Sequence, residues 1–403
     1  MPTGFPRLLA AEAVSNFGAM LSRVAIPWIA ALALDSSPFE MAFLVVADVV
    51  AGAIGSLVLG AWVDRLDKRA VMLGTDVGRA AVLGLLAAAA HGGWISMPLL
   101  IAAAAAGGIL TVMFELARSA WMAQRLAAAD LPQGNAGMSM ATSLSETLAF
   151  AMGGWIYQAA GAVVALAVDA VSYLVSAAFV RGIEAAPSTV TASPARGALH
   201  ALRADIAAGI RAIAADPVLR LLATVEALVA AGMGIGGTSY MIFVARDLGF
   251  DTGTLGLIFA TGGLGALAGA AIAPRIGERY GWRGAIAFGL AFLAIGNFCI
   301  PLAPAATIAG GLLLIAHQVV GDGGHVVYDV HDRTLRQTAA APEFIARVDA
   351  GIRTLGQIAR LAGAVGGGIL ATAVGTRPAL ALAAAFYAVA AGAVLVTMPD
   401  PRR

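Results

Sequence analysis

The sequence predicts an all-α membrane protein of twelve transmembrane helices, arranged as two pseudo-symmetric six-helix bundles. Three observations lead there. First, the 403 residues are 60% hydrophobic and only 12% charged, with a mean hydropathy of +0.86. Soluble domains carry about 25% charged residues, and a water-exposed fold this apolar would present large sticky patches. Second, the apolar residues gather into segments of roughly 20 residues, the length that crosses a bilayer as a helix. Third, the two halves of the chain echo one another.

The segments run 7–34, 40–63, 70–91, 95–121, 136–160 and 162–181, then 217–244, 253–274, 282–303, 306–330, 346–374 and 376–397. The opening MPTGFPRLLAAEAV shows no cleavage site, so the first segment is expected to be a retained span. The abundant glycine, 49 residues, suits close helix contacts in lipid, and Gly74 with Gly78 makes one GxxxG face. The organisation expected is a first bundle over 1–181, a linker over 182–216 and a second bundle over 217–403. The linker contains EAAPSTVTASPARG, then Leu199, Leu202, Ile206, Ile210 and Ile213 at helical spacing. That spacing fits a helix lying on the membrane surface and equally a solvated linker helix.

Charge placement orients the chain. Arg7, then Arg65, Lys68 and Arg69, then Arg125, the Arg181–Arg220 stretch, Arg275, Arg279 and Arg283, and finally Arg336, Arg347, Arg402 and Arg403 fall at the termini or in even-numbered connections. Only Arg246 and Arg377 fall in odd-numbered ones. The positive-inside rule then predicts a multi-pass protein of the inner (plasma) membrane with both termini cytoplasmic. The net charge of +1 indicates no partner, and no basic tract interleaved with aromatics argues for nucleic acid. The single cysteine, Cys299, permits no disulfide framework. No GxxxxGK[ST], HExxH, CxxC or GxSxG occurs, so the chain is expected to be neither an ATPase nor another enzyme, with no cofactor beyond an ion gradient.

Against this greasy background, GAWVDRLDKRAVMLG (60–74) concentrates Asp64, Arg65, Asp67, Lys68 and Arg69 between the second and third spans. A carboxylate at Asp64 can accept from the positive N-terminus of a facing helix. Arg65, Lys68 and Arg69 are expected to pair with Glu115, and Arg118 with Asp64. Contacts made only when that side is closed would bias a two-state machine by about a few kcal/mol; a plain positive-inside anchor is the simpler alternative. The halves repeat this end of the molecule: ARSAWMAQRLAAADLPQGNAG…GGWI is echoed by DRTLRQTAAAPEFIARVDAG…GGGI, matching Arg118 to Arg333, Pro132 to Pro342, and Gly153 and Gly154 to Gly367 and Gly368. Tandem six-span repeats are a transporter architecture.

Gly60, three residues, Asp64-Arg65 and then basic residues resembles the loop motif of the major facilitator superfamily. The resemblance covers essentially the whole chain. It is nearest to the enterobactin- and macrolide-type exporters of drugs and siderophores, through NFGAMLSRVAIPW, SSPFEMAFLVVADVV, FELARSAW, RTLRQTAAAPEFIARVDA and DLGFDTGTLGLIFATGGLGALAGA. It implies the major facilitator fold, a cytoplasmic latch of Gly60, Asp64, Arg65, Lys68, Arg69, Glu115 and Arg118, and a cavity lined by spans one, four, seven and ten. Two departures stand out. Asp67 replaces a frequent glycine, and AFAMGG (149–154) keeps only the final glycines of the antiporters' Gly-Pro-x-x-Gly-Gly.

Charges within the spans are costly and therefore informative. Asp76 and Arg79 share one face of span three and are expected to neutralise each other. The cavity candidates are Glu12, Arg23, Asp48, Glu226, His317 and Asp322. A buried carboxylate favours its protonated form and can carry a proton; Glu226, with small apolar neighbours in TVEALVAAGMGIGG, has the strongest claim. His317, His325 and His331 do not share a helix face, so no metal site is expected, and Gly321, Gly323 and Gly324 point to a hinge beside a cavity. The function expected is proton-coupled export of a small amphipathic organic compound by a monomer in the lipid bilayer. The alternatives are import of a small polar or lipid-like metabolite and a non-transporting receptor.

Overall fold

The computed structural model describes residues 4–54, 59–63, 65–127, 130–185, 210–339 and 345–398. They are helical apart from short connections, with no strand among the described residues. In the first half, α1 (Phe5–Trp28) runs into a π-helical turn (Ile29–Ala33). Then come α2 (Pro38–Ile54), a short turn Gly60–Val63, α3 (Lys68–His91) and α4 (Met97–Arg125). The stretch Leu131–Arg181 breaks at Gly161 into α5 (131–160) and α6 (162–181). In the second half, α7 (Pro217–Ile242) continues into a π-turn (Phe243–Asp247), and Thr252–Leu302 breaks at Gly281 into α8 (252–280) and α9 (282–302). The helix α10 is built from Ile308–Ala316, a π-turn His317–Gly321 and Asp322–Ala339. Last are α11 (Ile345–Val374) and α12 (Thr376–Thr397). Each of the twelve predicted segments has a helix among the described residues; 55–58 of the second segment lie outside them, and α10 runs on to Ala339, past the predicted end at 330. Among the described residues, eight helical stretches, with 252–302 counted as one, are long and apolar enough to cross a membrane.

The repeat is written in the backbone. The π-turns Ile29–Ala33 and Phe243–Asp247 lie 214 residues apart, as do the positive-φ residues Asp35 and Gly249 and the breaks Gly161 and Gly375. Packing repeats too: α1 packs chiefly on α5 and α6, as α7 does on α11 and α12. One unit comprises Met1–Ser36, Val46–Ser193 and Asp251–Leu257; the other comprises Ser37–Val45, Pro194–Phe250 and Ile258–Arg403. The predicted halves differ from these units by two exchanged pieces, the first turns of α2 and α8. In the first unit the Gly253 amide donates to Gln158 Oε1 at 2.7 Å, and a Cβ on Gly154 would stand 2.3 Å from the Thr252 carbonyl oxygen. In the second unit a Cβ on Gly368 would stand 3.0 Å from the Pro38 carbonyl oxygen. Hydropathy delimits spans but carries no signal for such close seats between them.

Each unit has its own core: Phe5, Leu8, Trp121 and Val180 in the first, Leu222, Val225, Leu290, Tyr387 and Val394 in the second. In lipid, tight packing rather than escape from water holds helices together. Accordingly α7 and α11 meet through glycine, and a Cβ on Gly234 would lie 2.2 Å from the Arg360 carbonyl oxygen. The GxxxG pair expected on α3 behaves differently, since Gly78 faces the Leu110 side chain while Gly74 has open space around it. Of the linker helix expected at 199–213, residues 199–209 lie outside the described residues and 210–215 are helical.

Candidate functional site

Six helices of the first unit line a half-open cavity of about 430 Å³. Its charged lining is supplied by Arg23 from α1, Asp48 from α2, Arg79 from α3, Glu115 from α4, Glu146 from α5 and Asp169 from α6, with Asn16 and Thr142 among further polar groups and apolar walls that include Met20, Ile26, Leu83 and Leu86. Each charged group occupies a helix face turned inward because lipid-facing charge is costly. Asp169 is 1% exposed, and its Oδ1 accepts from the Ser172 hydroxyl at 3.2 Å. Gly18 gives α6 room to approach α1, since a Cβ there would stand 2.5 Å from Asp169 Oδ1.

Arg79 is held on every side. Its guanidinium donates to Asp76 Oδ1 at 2.5 Å and lies between the rings of Phe114, 4.6 Å away, and Tyr173, 4.1 Å away. Asp76 accepts a second bond, 2.8 Å, from the Ser176 hydroxyl on α6. The expected neutralisation of Asp76 by Arg79 is therefore present, with two aromatic faces added. Arg79 and Arg23 are the cations whose fields reach Glu115. Glu115 thus belongs to the cavity.

Of the predicted cavity residues, Arg23 and Asp48 line this cavity and Glu12 does not. Glu12 is buried and ion-paired with Arg118, so Arg118 has a partner other than the expected Asp64, which lies outside the described residues. The second unit carries the counterpart. Arg336 pairs with Glu226 at 2.7 Å and with Asp332 at 2.6 Å, and the Tyr328 hydroxyl donates to Glu226 at 3.4 Å. Asp349 lies 3.8 Å from Arg336 and accepts from Arg353 at 2.8 Å. The structure corrects two expectations here. Glu226 is not a solitary carboxylate among small apolar neighbours, because its partners arrive from α10 about 100 residues away in sequence. Toward Glu226 the part that Arg118 plays toward Glu12 falls to Arg336 rather than to Arg333, although the 214-residue offset carries position 118 to Asp332; Arg333 is exposed and pairs with Asp329 one turn away at 2.8 Å.

The latch residues are tied within their own unit. Asp67 N-caps α3, its Oδ1 accepting from the Ala70 amide at 2.8 Å, which explains an acid where a glycine is frequent. Lys68 is buried and its Nζ donates to the carbonyls of Val63 at 3.1 Å and Leu66 at 2.9 Å. Arg69 donates to the Arg181 carbonyl, and 214 residues later Arg283 donates to the Leu395 carbonyl, so each caps the last turn of the sixth helix of its half. Arg65 is exposed at the loop tip, and Gly60 opens the short turn before it.

In α10 the three histidines go separate ways. His317 stacks edge-on against Tyr240 with centroids 5.5 Å apart; His325 lies tilted near Tyr328; His331 Nδ1 bonds the Val327 carbonyl at 2.8 Å. Asp322 is half-buried against Gly262 of α8. Among the described residues no three such groups converge on a metal position. Sequence reasoning left Glu146, Asp169, Asp332 and Arg336 out of the site; the first two were readable as charges within apolar spans.

Residues 8–328 match the family model of the Major Facilitator Superfamily. No curated protein matches the sequence. Solved structures are similar over the whole chain. The nucleoside transporter NupG is 12% identical, with 99% of this chain and 100% of that one covered and a TM-score of 0.79. A bacterial homologue of the iron transporter ferroportin, in its inward-facing state, is 14% identical over 98% and 99%, with a TM-score of 0.76. A bacterial homologue of the lysosomal transporter Spinster is 13% identical over 98% and 96%, with a TM-score of 0.72.

Proposed function

Because the chain belongs to the Major Facilitator Superfamily and is a membrane transporter rather than an enzyme, we propose that it is a proton-coupled exporter of a small amphipathic organic compound, working by alternating access. The observation that carries this reading is the cavity within the first unit, where Asp48, Glu115, Glu146 and Asp169 stand among apolar walls. Carboxylates at that depth can take and release protons, and mixed polar and apolar walls suit an amphipathic guest. The motifs around 16–28, 60–69 and 114–121 support a place beside the enterobactin- and macrolide-type exporters. The positive-inside pattern supports an inner-membrane protein with cytoplasmic termini.

In this reading the loop of Gly60, Asp64, Arg65, Lys68 and Arg69 is the gating latch, and Glu12–Arg118 and Glu226–Arg336 are repeat-related locks, one in each unit. Glu115, His317 and Asp322 belong to the translocation path. The test is a susceptibility panel in a pump-deleted bacterial host, followed by transport in proteoliposomes under an imposed pH gradient. Export that collapses when the gradient is dissipated supports the proposal. Downhill uptake indifferent to the gradient would replace it with a facilitator.

A further inference from the structure

Asp76 and Asp169 are both buried acids of the first unit, 0% and 1% exposed, but they are held in opposite ways. Asp76 is bound by the Arg79 guanidinium at 2.5 Å and by the Ser176 hydroxyl at 2.8 Å. A guanidinium has only donors, so that pairing fits a carboxylate and not a carboxylic acid. Asp169 forms no ion pair among the described residues and is bonded instead to the hydroxyl of Ser172, one turn along α6. This hydroxyl has one hydrogen and two acceptors in reach, the Asp169 carbonyl at 2.8 Å and Asp169 Oδ1 at 3.2 Å. Turned to Oδ1, it serves the ionised acid. Turned to the carbonyl, it leaves a lone pair facing Oδ1, where the proton of the neutral acid belongs. Ser22 of α1 stands beside the same carboxylate, and its hydroxyl has no hydrogen-bond partner among the described residues, so it too can donate or accept.

Helix packing does not call for this arrangement. At the 214-residue offset the seat of Gly18 is kept by Gly232, where a Cβ would stand 2.7 Å from the Tyr387 ring, and Tyr387 itself matches Tyr173. The acid and both hydroxyls are gone: Asp169, Ser172 and Ser22 correspond to Ala383, Phe386 and Gly236. The first and sixth helices of a half thus meet closely without a buried acid, and a carboxylate with hydroxyl partners alone is expensive there. Asp169 and Ser22 both line the cavity. The other charged and titratable groups facing it are Arg23 on α1, Asp48 on α2, Arg79 on α3, Glu115 on α4, Glu146 on α5 and Tyr173 on α6. Arg79 is the cation whose field reaches Asp169, and it is tied to Asp76. At 1% exposure Asp169 offers no surface to a solute. A proton needs none, because it is handed along hydroxyls and water.

We propose that Asp169 carries the coupling proton, taking it from water in the cavity and returning it to water, while the Ser172 and Ser22 hydroxyls turn to match each form. This rests on the proton-coupled reading above and names the acid that does the coupling. It puts the carrier on α6 of the first unit rather than at Glu226, where the sequence pattern alone would put it.

The test uses the full chain in lipid nanodiscs and reads protonated carboxyl groups by infrared difference spectroscopy between acid and alkaline buffers, which requires no transported compound. A carboxylic-acid band that appears on acidification, is lost in Asp169→Asn and survives in Glu146→Gln supports the proposal. Ser172→Ala removes a partner and keeps the acid, so the band should persist at a shifted frequency; an Asp169 with a merely structural role would give no titrating band to shift. In proteoliposomes, Asp169→Asn should lose at least tenfold of the gradient-driven export of the panel compound to which the wild type gives most resistance, with its thermal midpoint unchanged. No band assignable to Asp169, or export by Asp169→Asn at the wild-type rate, would overturn the inference and leave the transport reading standing. An Asp169 band that titrates as expected in a protein moving no compound of the panel under a pH gradient would instead overturn the transport reading, and the coupling role with it.

Discussion

At the scale of single residues, the short charged loop divides into local structural roles. Asp67 caps α3 and Lys68 holds the carbonyls of the turn before it. Replacing an N-cap acid with alanine removes the acceptor for an end-of-helix amide, so Asp67→Ala should lower stability by about 1 kcal/mol, readable as a drop in the thermal midpoint in detergent. Arg336 carries more. It is 6% exposed and faces Glu226, Asp332 and Asp349, so its loss leaves the buried Asp332 uncompensated and takes the ion-pair partner from the part-buried Glu226. Arg336→Met is therefore expected to cost about 3–5 kcal/mol, whereas Glu226→Gln, which keeps an acceptor for Arg336, should cost far less. Comparable unfolding midpoints for the two variants would contradict this assignment. These pairings were not legible in the sequence: Glu226 shows only small apolar neighbours along the chain, and its partners come from a distant helix.

At the scale of helices, the repeat makes predictions in pairs. Arg69 and Arg283 cap the last turns of α6 and α12 through equivalent carbonyls. Cations near a helix C-terminus are worth about 0.3–1 kcal/mol, so Arg69→Ala and Arg283→Ala should fray those turns to a similar degree. Faster amide hydrogen exchange confined to 178–181 in one variant and 392–395 in the other would report it. A large effect at one site and none at the other would break the equivalence. Arg377, which stood out against the positive-inside pattern, also caps a helix end, donating to the carbonyls of Pro301 at 2.6 Å and Ala303 at 2.9 Å where α9 finishes. The irregularity of α10 was readable from Gly321, Gly323 and Gly324, and the structure gives it as a π-turn at His317–Gly321. The matching π-turns ending α1 and α7 had no sequence signal, because extra backbone turns leave apolar composition unchanged.

At the scale of the whole molecule, the twelve helices were legible because each span must satisfy its backbone internally and cover itself with apolar side chains. Even the one-residue break at Gly161 is foreshadowed by apolar segments that abut there. What could not be read was the assignment of the first turns of α2 and α8 to units and the lining of one half-open cavity by six helices, since both depend on contacts between distant segments. The spacing of Asp76 and Arg79 already pairs them, yet nothing along the chain brings Asp169 to their side of the cavity. The latch belongs to this scale because it concerns the choice between states. Asp64→Asn should leave expression and folding intact while cutting turnover at least tenfold, measured as lost resistance at matched protein level. Full resistance in that variant would remove the latch.

The breaks at Gly161, Gly281 and Gly375 have φ of 77°, 65° and 96° with ψ near 180°, a backbone region open essentially only to glycine. Each joins two helices through a single residue. Such pairs have no slack with which to enter the bilayer one helix at a time, so during synthesis α5–α6, α8–α9 and α11–α12 must be delivered as preformed hairpins. Alanine at any of the three carries about 1–3 kcal/mol of backbone strain. Its first symptom should be a fall in the yield of membrane-inserted chain, seen before any change in the activity of the molecules that do insert.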